Sequence, residues 1–534
     1  MKKQHVFARS CGVLMPVFSL PSPYGIGTFG QAAYDWVDFL AKAGQRYWQV
    51  LPLGPTSYGD SPYQSFSAFA GNPYFIDLDK LRAEGLLTQE ELDSVTWQET
   101  ETAIDYALLY RSRFPVLRKA CARSAHEGSE PFTSFCAENA AWLEPYAQFM
   151  ALKEAFGGVS WLEWPEPLRR REPEALQEAL APLADAVAFW KFCQFKFFEQ
   201  WEQLRDYAHE KGIGIIGDIP IYAAIDSADA WAEPEVFYLD DDNRPIDVAG
   251  CPPDAFSATG QLWGNPLYRW EYQEKTGFDW WKRRLAATSR LYDIVRIDHF
   301  RGLAEYYAIP AGDKTAEHGE WRPGPGLAFF EAVQESLGGA KWILEDLGFL
   351  TPDVHRLRKR VGAPGMKVLQ FAFDSREESD YLPHNYDANC VVYTGTHDND
   401  TMIGWMKTAA RPDVSFSKRY LGMRRGARPN WEYIRAAYMS VAALAVIPLQ
   451  DFLGLGSEAR INTPSTLGQN WRWRLSPGLC TPELAAEIRA FAALYGRAER
   501  EIPAEKKRAR PKKGAGTKAA APEPTEKMTG GPDA

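Results

Sequence analysis

Asp293-Ile294-Val295-Arg296-Ile297-Asp298 is a short, largely apolar run that closes on an acid, and its recurrence along the chain decides the fold. Apolar residues in succession, without strict alternation, suit a strand buried on both faces, as in a parallel sheet. Upstream the same kind of run occurs at Gly214–Pro220, Tyr47–Leu53 and Gly12–Pro16. Downstream it occurs at Trp342–Asp346, Lys367–Phe373, Cys390–Gly395 and Ala445–Asp451. Stretches of helical character separate these runs, and Gln31–Gly44, between the first two, has helical periodicity. Eight such runs with helical crossovers predict an α/β fold, a (β/α)8 TIM barrel. A doubly wound open sheet has the same order of elements and stays open as an alternative.

Two connections are too long to be simple crossovers. Leu81–Glu210 is rich in helix-formers and predicts a helical insertion. Asp226–Arg290 mixes Gly, Pro and aromatics and predicts a loop-rich insertion over the active face. On this reading residues 1–504 form the barrel domain with both insertions. Residues 505–534, basic at Lys506–Lys518 and low in complexity beyond, form a disordered tail.

The 534 residues suffice for one large barrel with insertions. A net charge of −10 argues against nucleic acid as a partner. Met1–Ser10 has no apolar leader segment, and no stretch is long and apolar enough to span a bilayer. The seven cysteines are scattered, without CxxC pairs or zinc-type Cys/His spacing. They read as reduced thiols in a cytoplasmic protein. Trp and Tyr are abundant, at 19 and 24. Core packing explains many of these rings, but a pyranose face also stacks on an aromatic ring, so composition alone does not separate the two.

Four of the eight runs lead into acids: Asp218, Asp298, Glu345 and, after a short turn, His397-Asp398 with Asp400 close behind. In a barrel all strand C-termini open on one face, where active sites are built. One such acid is ordinarily a turn residue or a helix N-cap. Four in register make a carboxylate cluster, and clustered carboxylates repel, so at least one holds its proton near neutral pH. A protonated acid beside an ionised carboxylate is what retaining glycoside chemistry requires: one group attacks the anomeric carbon while the other protonates the leaving oxygen. A different class competes, because acids at barrel strand ends can hold Mg²⁺, as in enolase-type enzymes. Those also need a Lys or His base at a strand end. His299 and His397 are present, but no suitably placed Lys is. Arg296, two residues before Asp298, faces the same side of its strand and favours an ionised, unmetallated Asp298. The residues alone do not choose between Asp398 and Asp400.

Further motifs narrow the reading. Arg296-Ile297-Asp298-His299-Phe300-Arg301-Gly302, Ile343-Leu344-Glu345-Asp346-Leu347-Gly348 and Gly395-Thr396-His397-Asp398-Asn399-Asp400-Thr401 resemble the motifs of the 4-α-glucanotransferases (amylomaltases, disproportionating enzymes; glycoside hydrolase family 77). So do the stretches Pro55–Ser65, Gly217–Tyr222, Gly260–Tyr268 and Asn470–Arg474. Together they span about residues 10 to 500. The resemblance implies a hexosyltransferase with a (β/α)8 barrel and no metal or cofactor. It implies transfer between maltooligosaccharides and α-1,4-glucans, with glucose as a released or accepting sugar.

The resemblance further implies Asp298 as nucleophile, Glu345 as general acid/base and Asp398 as transition-state stabiliser, the His-Asp step deciding for Asp398. Asp218, Arg296, His299 and His397 would hold the glucose at the cleavage point. Tyr58, Tyr63, Phe256 and Trp263 resemble sugar-stacking residues, with Ser61 and Asp254 among the binding residues. The Gly250–Gly260 loop resembles a lid that curls the glucan. Asn462 belongs to an acceptor-binding stretch, Asn462–Thr466, in which Gly is expected where Ser465 stands. An α-amylase-type hydrolase shares the same intermediate and is the alternative reaction. A non-catalytic glucan-binding protein would not need the full set of carboxylates.

Overall fold

The computed structural model describes residues 7–253, 257–337, 341–348 and 350–500. In chain order its strands are β1 (Ser10–Leu14), β2 (Tyr47–Gln49), β3 (Gly214–Ile219), β4 (Asp247–Cys251), β5 (Gln261–Pro266), β6 (Ile294–Ile297), β7 (Glu305–Pro310), β8 (Glu320–Pro323), β9 (Lys341–Leu344), β10 (Gly365–Val368), β11 (Cys390–Tyr393) and β12 (Leu444–Pro448). Eight of them close in the order β1-β12-β11-β10-β9-β6-β3-β2. Every neighbouring pair is parallel, and β1 pairs with both β12 and β2. The sheet therefore has no edge, which removes the doubly wound alternative.

Each of the eight apolar runs of the sequence overlaps one barrel strand, and β1, β9, β10 and β12 begin one or two residues before their runs. The strands are aliphatic because helices cover the outer face and side chains fill the lumen. Val13, Trp48, Ile215, Ile216, Val295, Ile343, Val391, Val392 and Val446 are fully buried. Helix Gln31–Lys42 follows β1 and packs between helix Pro482–Leu494 and helix Ala184–Glu210. The last of these presents Phe189, Phe192, Phe197, Trp201, Leu204 and Ala208, spaced three to five residues apart, to the core.

The stretch 81–210 holds a series of helices, of which Tyr106–Arg123, Ala140–Ala155 and Ala184–Glu210 are the longest. The stretch 226–290 is more regular than its Gly- and Pro-rich sequence suggested. It contains β4 and β5, and helix Asp279–Leu291 then leads into β6. Strands β4 and β5 join β7 and β8 in an antiparallel sheet of order β5-β4-β7-β8, inserted beside the C-terminal end of the barrel. The Gly250–Gly260 stretch begins in the last two residues of β4 and ends just before β5, and its residues 254–256 lie outside those described. The tail expected at 505–534 falls on residues outside those described.

Candidate active site

The strand register places the acids side by side. Asp218 on β3 lies opposite Arg296 on β6, and Arg296 lies opposite Ile343 on β9. Two residues beyond Arg296, and therefore on the same face, comes Asp298; two beyond Ile343 comes Glu345. The backbone joins them as well. The Asp298 N–H donates to the Ile219 carbonyl at 3.1 Å, and the Glu345 N–H donates to the Ile297 carbonyl at 3.0 Å.

Arg296 is the hub. It is 3% exposed. Its Nη1 donates to both oxygens of Asp218, at 2.8 and 2.7 Å, and to Asp298 Oδ1 at 2.9 Å. Its Nε faces the Met366 sulfur on β10 at 3.4 Å. Across the lumen Tyr393 donates its hydroxyl to Gln49 Oε1 at 2.9 Å, closing the barrel with a neutral polar pair. The guanidinium fills the position between Asp218 and Asp298 that a metal ion would need. Among the described residues no group of three or more His, Cys, Asp or Glu is arranged to hold a metal.

Glu345 is held by backbone. Its Oε2 accepts the His299 N–H at 2.7 Å and its Oε1 accepts the Leu347 N–H at 2.9 Å. His299 itself has φ of 49°, in the left-handed region unusual for a non-glycine residue. That conformation turns its amide towards the carboxylate arriving from β9.

Burial pushes Asp298 and Glu345 above the ordinary carboxylate range. For Asp298 the negative charges of Asp218, Glu345 and Asp398 act in the same direction and Arg296 opposes them. Two buried carboxyls that repel share their titration, so the pair holds a proton near neutral pH. Arg296 touches Asp298 directly, and the Asp298 side chain is 28% exposed. Both facts oppose the upward push of burial and neighbouring acids, which still carries Asp298 to about 8.

His397 and Asp398 lie beyond β11. Asp398 Oδ1 accepts the Asn462 side-chain amide at 2.6 Å and lies 3.4 Å from His397 Nε2. The Tyr63 hydroxyl donates to Asp218 Oδ2 at 2.7 Å. The Tyr63 ring stacks on His397 at 5.1 Å between centroids. The Trp263 ring meets the His299 ring edge-on at 4.8 Å. The Ser61 hydroxyl accepts the Tyr63 N–H at 3.2 Å and shapes the turn that presents Tyr63. Gln64 bridges the same loop to β5, donating to the Trp263 carbonyl and to Asn265 Oδ1.

The structure thus brings together Asp218, Arg296, Asp298, His299, Glu345, His397, Asp398, Tyr63, Trp263 and Asn462, with Ser61 in support. Tyr58 lies in the turn Tyr58–Asp60, but its side chain is outside the described part, as are Asp254 and Phe256. Three participants were not singled out from the sequence. Trp471 packs against Tyr63 at 5.7 Å and His397 at 5.9 Å. Arg460 donates to the Asp398 carbonyl, and Gln49 lies in the lumen. Trp471 stands inside the quoted motif Asn470–Arg474, which was the available signal; the other two have none.

Burial favours the neutral form of both histidines. Burial, with the charge of Arg301, lowers His299 to about 4, and burial lowers His397. Among the described residues, His299 Nε2 and His397 Nδ1 are buried and lack a hydrogen-bond partner. A buried polar atom without a partner is costly unless something arrives to satisfy it. A neutral imidazole nitrogen can serve a hydroxyl as donor or acceptor. The site therefore combines charged carboxylates with neutral groups suited to a polyhydroxylated, uncharged molecule.

Comparison with known proteins agrees with this chemistry. The family model described as 4-alpha-glucanotransferase matches residues 15–481. A 4-alpha-glucanotransferase of Clostridium butyricum is 49% identical over 487 residues, covering 91% of this chain and 100% of the relative. One of Thermus thermophilus is 51% identical over 495 residues, covering 91% of this chain and 98% of the relative. Among solved structures, an amylomaltase of Streptococcus agalactiae in complex with acarbose superposes with a TM-score of 0.89 at 39% identity. It covers 92% of this chain and 100% of that one.

Proposed function

The chain belongs to the 4-α-glucanotransferase family, glycoside hydrolase family 77, and on that premise we propose that it moves α-1,4-glucan segments between maltooligosaccharides by a retaining double displacement. The observation that carries the reading is the linked set Asp218–Arg296–Asp298 beside a backbone-held Glu345. In the first half-reaction an Asp298 carboxylate oxygen bonds to the anomeric carbon. The glycosidic C–O bond breaks, and Glu345 gives its proton to the departing oxygen. In the second, an acceptor hydroxyl attacks the same carbon, Glu345 takes its proton, and the Asp298 oxygen leaves. Asp398 stabilises the positive charge that develops on the sugar in both steps.

Asp218, Arg296, His299 and His397 hold the sugar at the cleavage point. Tyr63, Trp263, Tyr58 and Phe256 supply aromatic faces, and Ser61, Asp254 and Asn462 supply polar contacts. The seat between Asp218 and Asp298 is taken by a guanidinium, which favours this reading over a Mg²⁺-dependent one. We take 1–504 as one catalytic domain with its insertions and 505–534 as an appendage. A cytosolic location fits the buried thiols Cys11 and Cys390, which burial pushes up to about 11 and about 12 and so keeps inert.

Incubation with maltotriose in the presence of EDTA tests the function. The expected products include chains both longer and shorter than the substrate. Shorter sugars alone would mean hydrolysis by water. Activity lost to EDTA and restored by Mg²⁺ would favour the enolase-type alternative.

A further inference from the structure

Asp398 sits on a turn whose backbone is held by a loop from a different strand. After β12 the chain runs through Ser457–Asn462, and this segment makes four hydrogen bonds to the turn and is braced from within by Arg460. Arg460 Nη2 donates to the Asp398 carbonyl at 2.7 Å, and Arg460 Nε donates to the Asn462 carbonyl at 2.7 Å. The Asn462 N–H donates to the His397 carbonyl at 3.1 Å, and its side-chain amide donates to Asp398 Oδ1 at 2.6 Å. The Ser457 hydroxyl donates to Asp400 Oδ2 at 2.7 Å. Arg460 ties the two chain segments together. Its planar fork donates in two fixed directions at once, to the Asp398 backbone and to the backbone of the residue that holds the Asp398 carboxylate.

We propose that Arg460 is a positioning residue for Asp398, fixing both the turn that carries this carboxylate and the Asn462 amide that orients it. The inference rests on the role of Asp398 given above. It also gives Asn462 a second role. The Asn462 amide is already committed to Asp398, so this residue acts on the reacting centre as well as on the acceptor side. A carboxylate that stabilises developing charge must be held close to its productive position, and a displacement of about 1 Å can cost roughly 100-fold in rate. Such a loss appears in both half-reactions, whereas loss of an acceptor contact appears in the second alone.

An α-glucosyl fluoride donor separates these cases. The C–F bond breaks as Asp298 bonds to the anomeric carbon, and fluoride leaves as an anion without needing the Glu345 proton. In Arg460→Ala, fluoride release and kcat on maltotriose should fall together by about 10- to 100-fold, with KM nearly unchanged. Arg460→Lys, whose ammonium keeps the charge but lacks the fixed planar fork, should recover part of the loss with an unchanged Tm. Should Arg460→Ala fail to fold, an Arg460→Lys enzyme with the full wild-type rate overturns the proposal. Wild-type fluoride release in Arg460→Ala, with or without a raised acceptor KM, overturns it too, provided Asp398→Asn is slow. Wild-type release in Asp398→Asn would sink the role of Asp398, and this inference with it.

Discussion

Arg296 binds two carboxylates through one nitrogen, and this sets the electrostatics of the site. The buried cation keeps Asp218 and Asp298 compatible with burial, yet Asp298 still lies above the ordinary carboxylate range because burial and three neighbouring acids outweigh the guanidinium. The sign of its effect on stability follows. From the unfolded value near 3.8 up to the raised folded value, the folded chain binds more protons than the unfolded chain. Stability due to this group is therefore present at low pH and is lost as pH rises through that window. Asp298→Asn removes the titrating group. We expect the variant to lose several orders of magnitude in kcat. It should nonetheless melt above the wild type at pH 8, with the gap closing towards pH 4. A Tm difference independent of pH would mean that Asp298 is not strained by its neighbours.

The strand-end positions depend on β3 and β6 lying close together. Gly217 immediately precedes Asp218, and a Cβ built there would come within 2.1 Å of the Tyr292 ring. Tyr292 is itself buried and leads into β6. Gly217→Ala must push β3 or the ring aside, at a cost of about 1–3 kcal/mol for overpacking a core site. Denaturant unfolding should show that loss together with reduced kcat, because Asp218 moves with its strand. A stable, fully active variant would mean that the strands are not locked at this height. The barrel was legible in the sequence because strands buried on both faces read as continuous apolar runs. Their ends were less so. Val50, Leu51 and Leu53 stay buried after β2 has ended at Gln49. Beyond β10 the residues Leu369–Phe371 form a 3-10 turn under the same cover. Burial continues where the sheet does not, so the runs overshoot. β4, β5, β7 and β8 were not visible, because Gly interrupts β4 and β5, β5 alternates between half-buried and exposed residues, and β8 is short and largely exposed. At the site, the acids could be found from their place at strand ends. Arg460 and Trp471 are loop residues whose importance comes from contacts with distant parts of the chain. Ser465 lies between: Gly was expected there, and its φ of 63° is in the region that favours glycine.

On the scale of the whole molecule, the cleft draws on segments from Tyr63 to Trp471, which only barrel closure brings together. The stretch 506–534 contributes none of these residues. Its basic part is mostly Lys and Arg, whereas the proposed substrate is neutral, so electrostatic steering has nothing to act on. Deleting 506–534 should leave kcat/KM for maltotriose unchanged at low and moderate salt. A large drop at either would show that the stretch reaches the cleft. The step that all the proposed roles serve is the covalent bond between Asp298 and the sugar. Glu345→Gln given an α-glucosyl fluoride should form this bond without needing an acid, and should then lack the base that activates the acceptor. The intermediate should therefore accumulate. Peptide mass spectrometry of the quenched variant is the direct measurement. The expected result is one added glucosyl residue on the peptide carrying Asp298. Fluoride release with no adduct, or with the adduct on another carboxylate, would contradict the assignment.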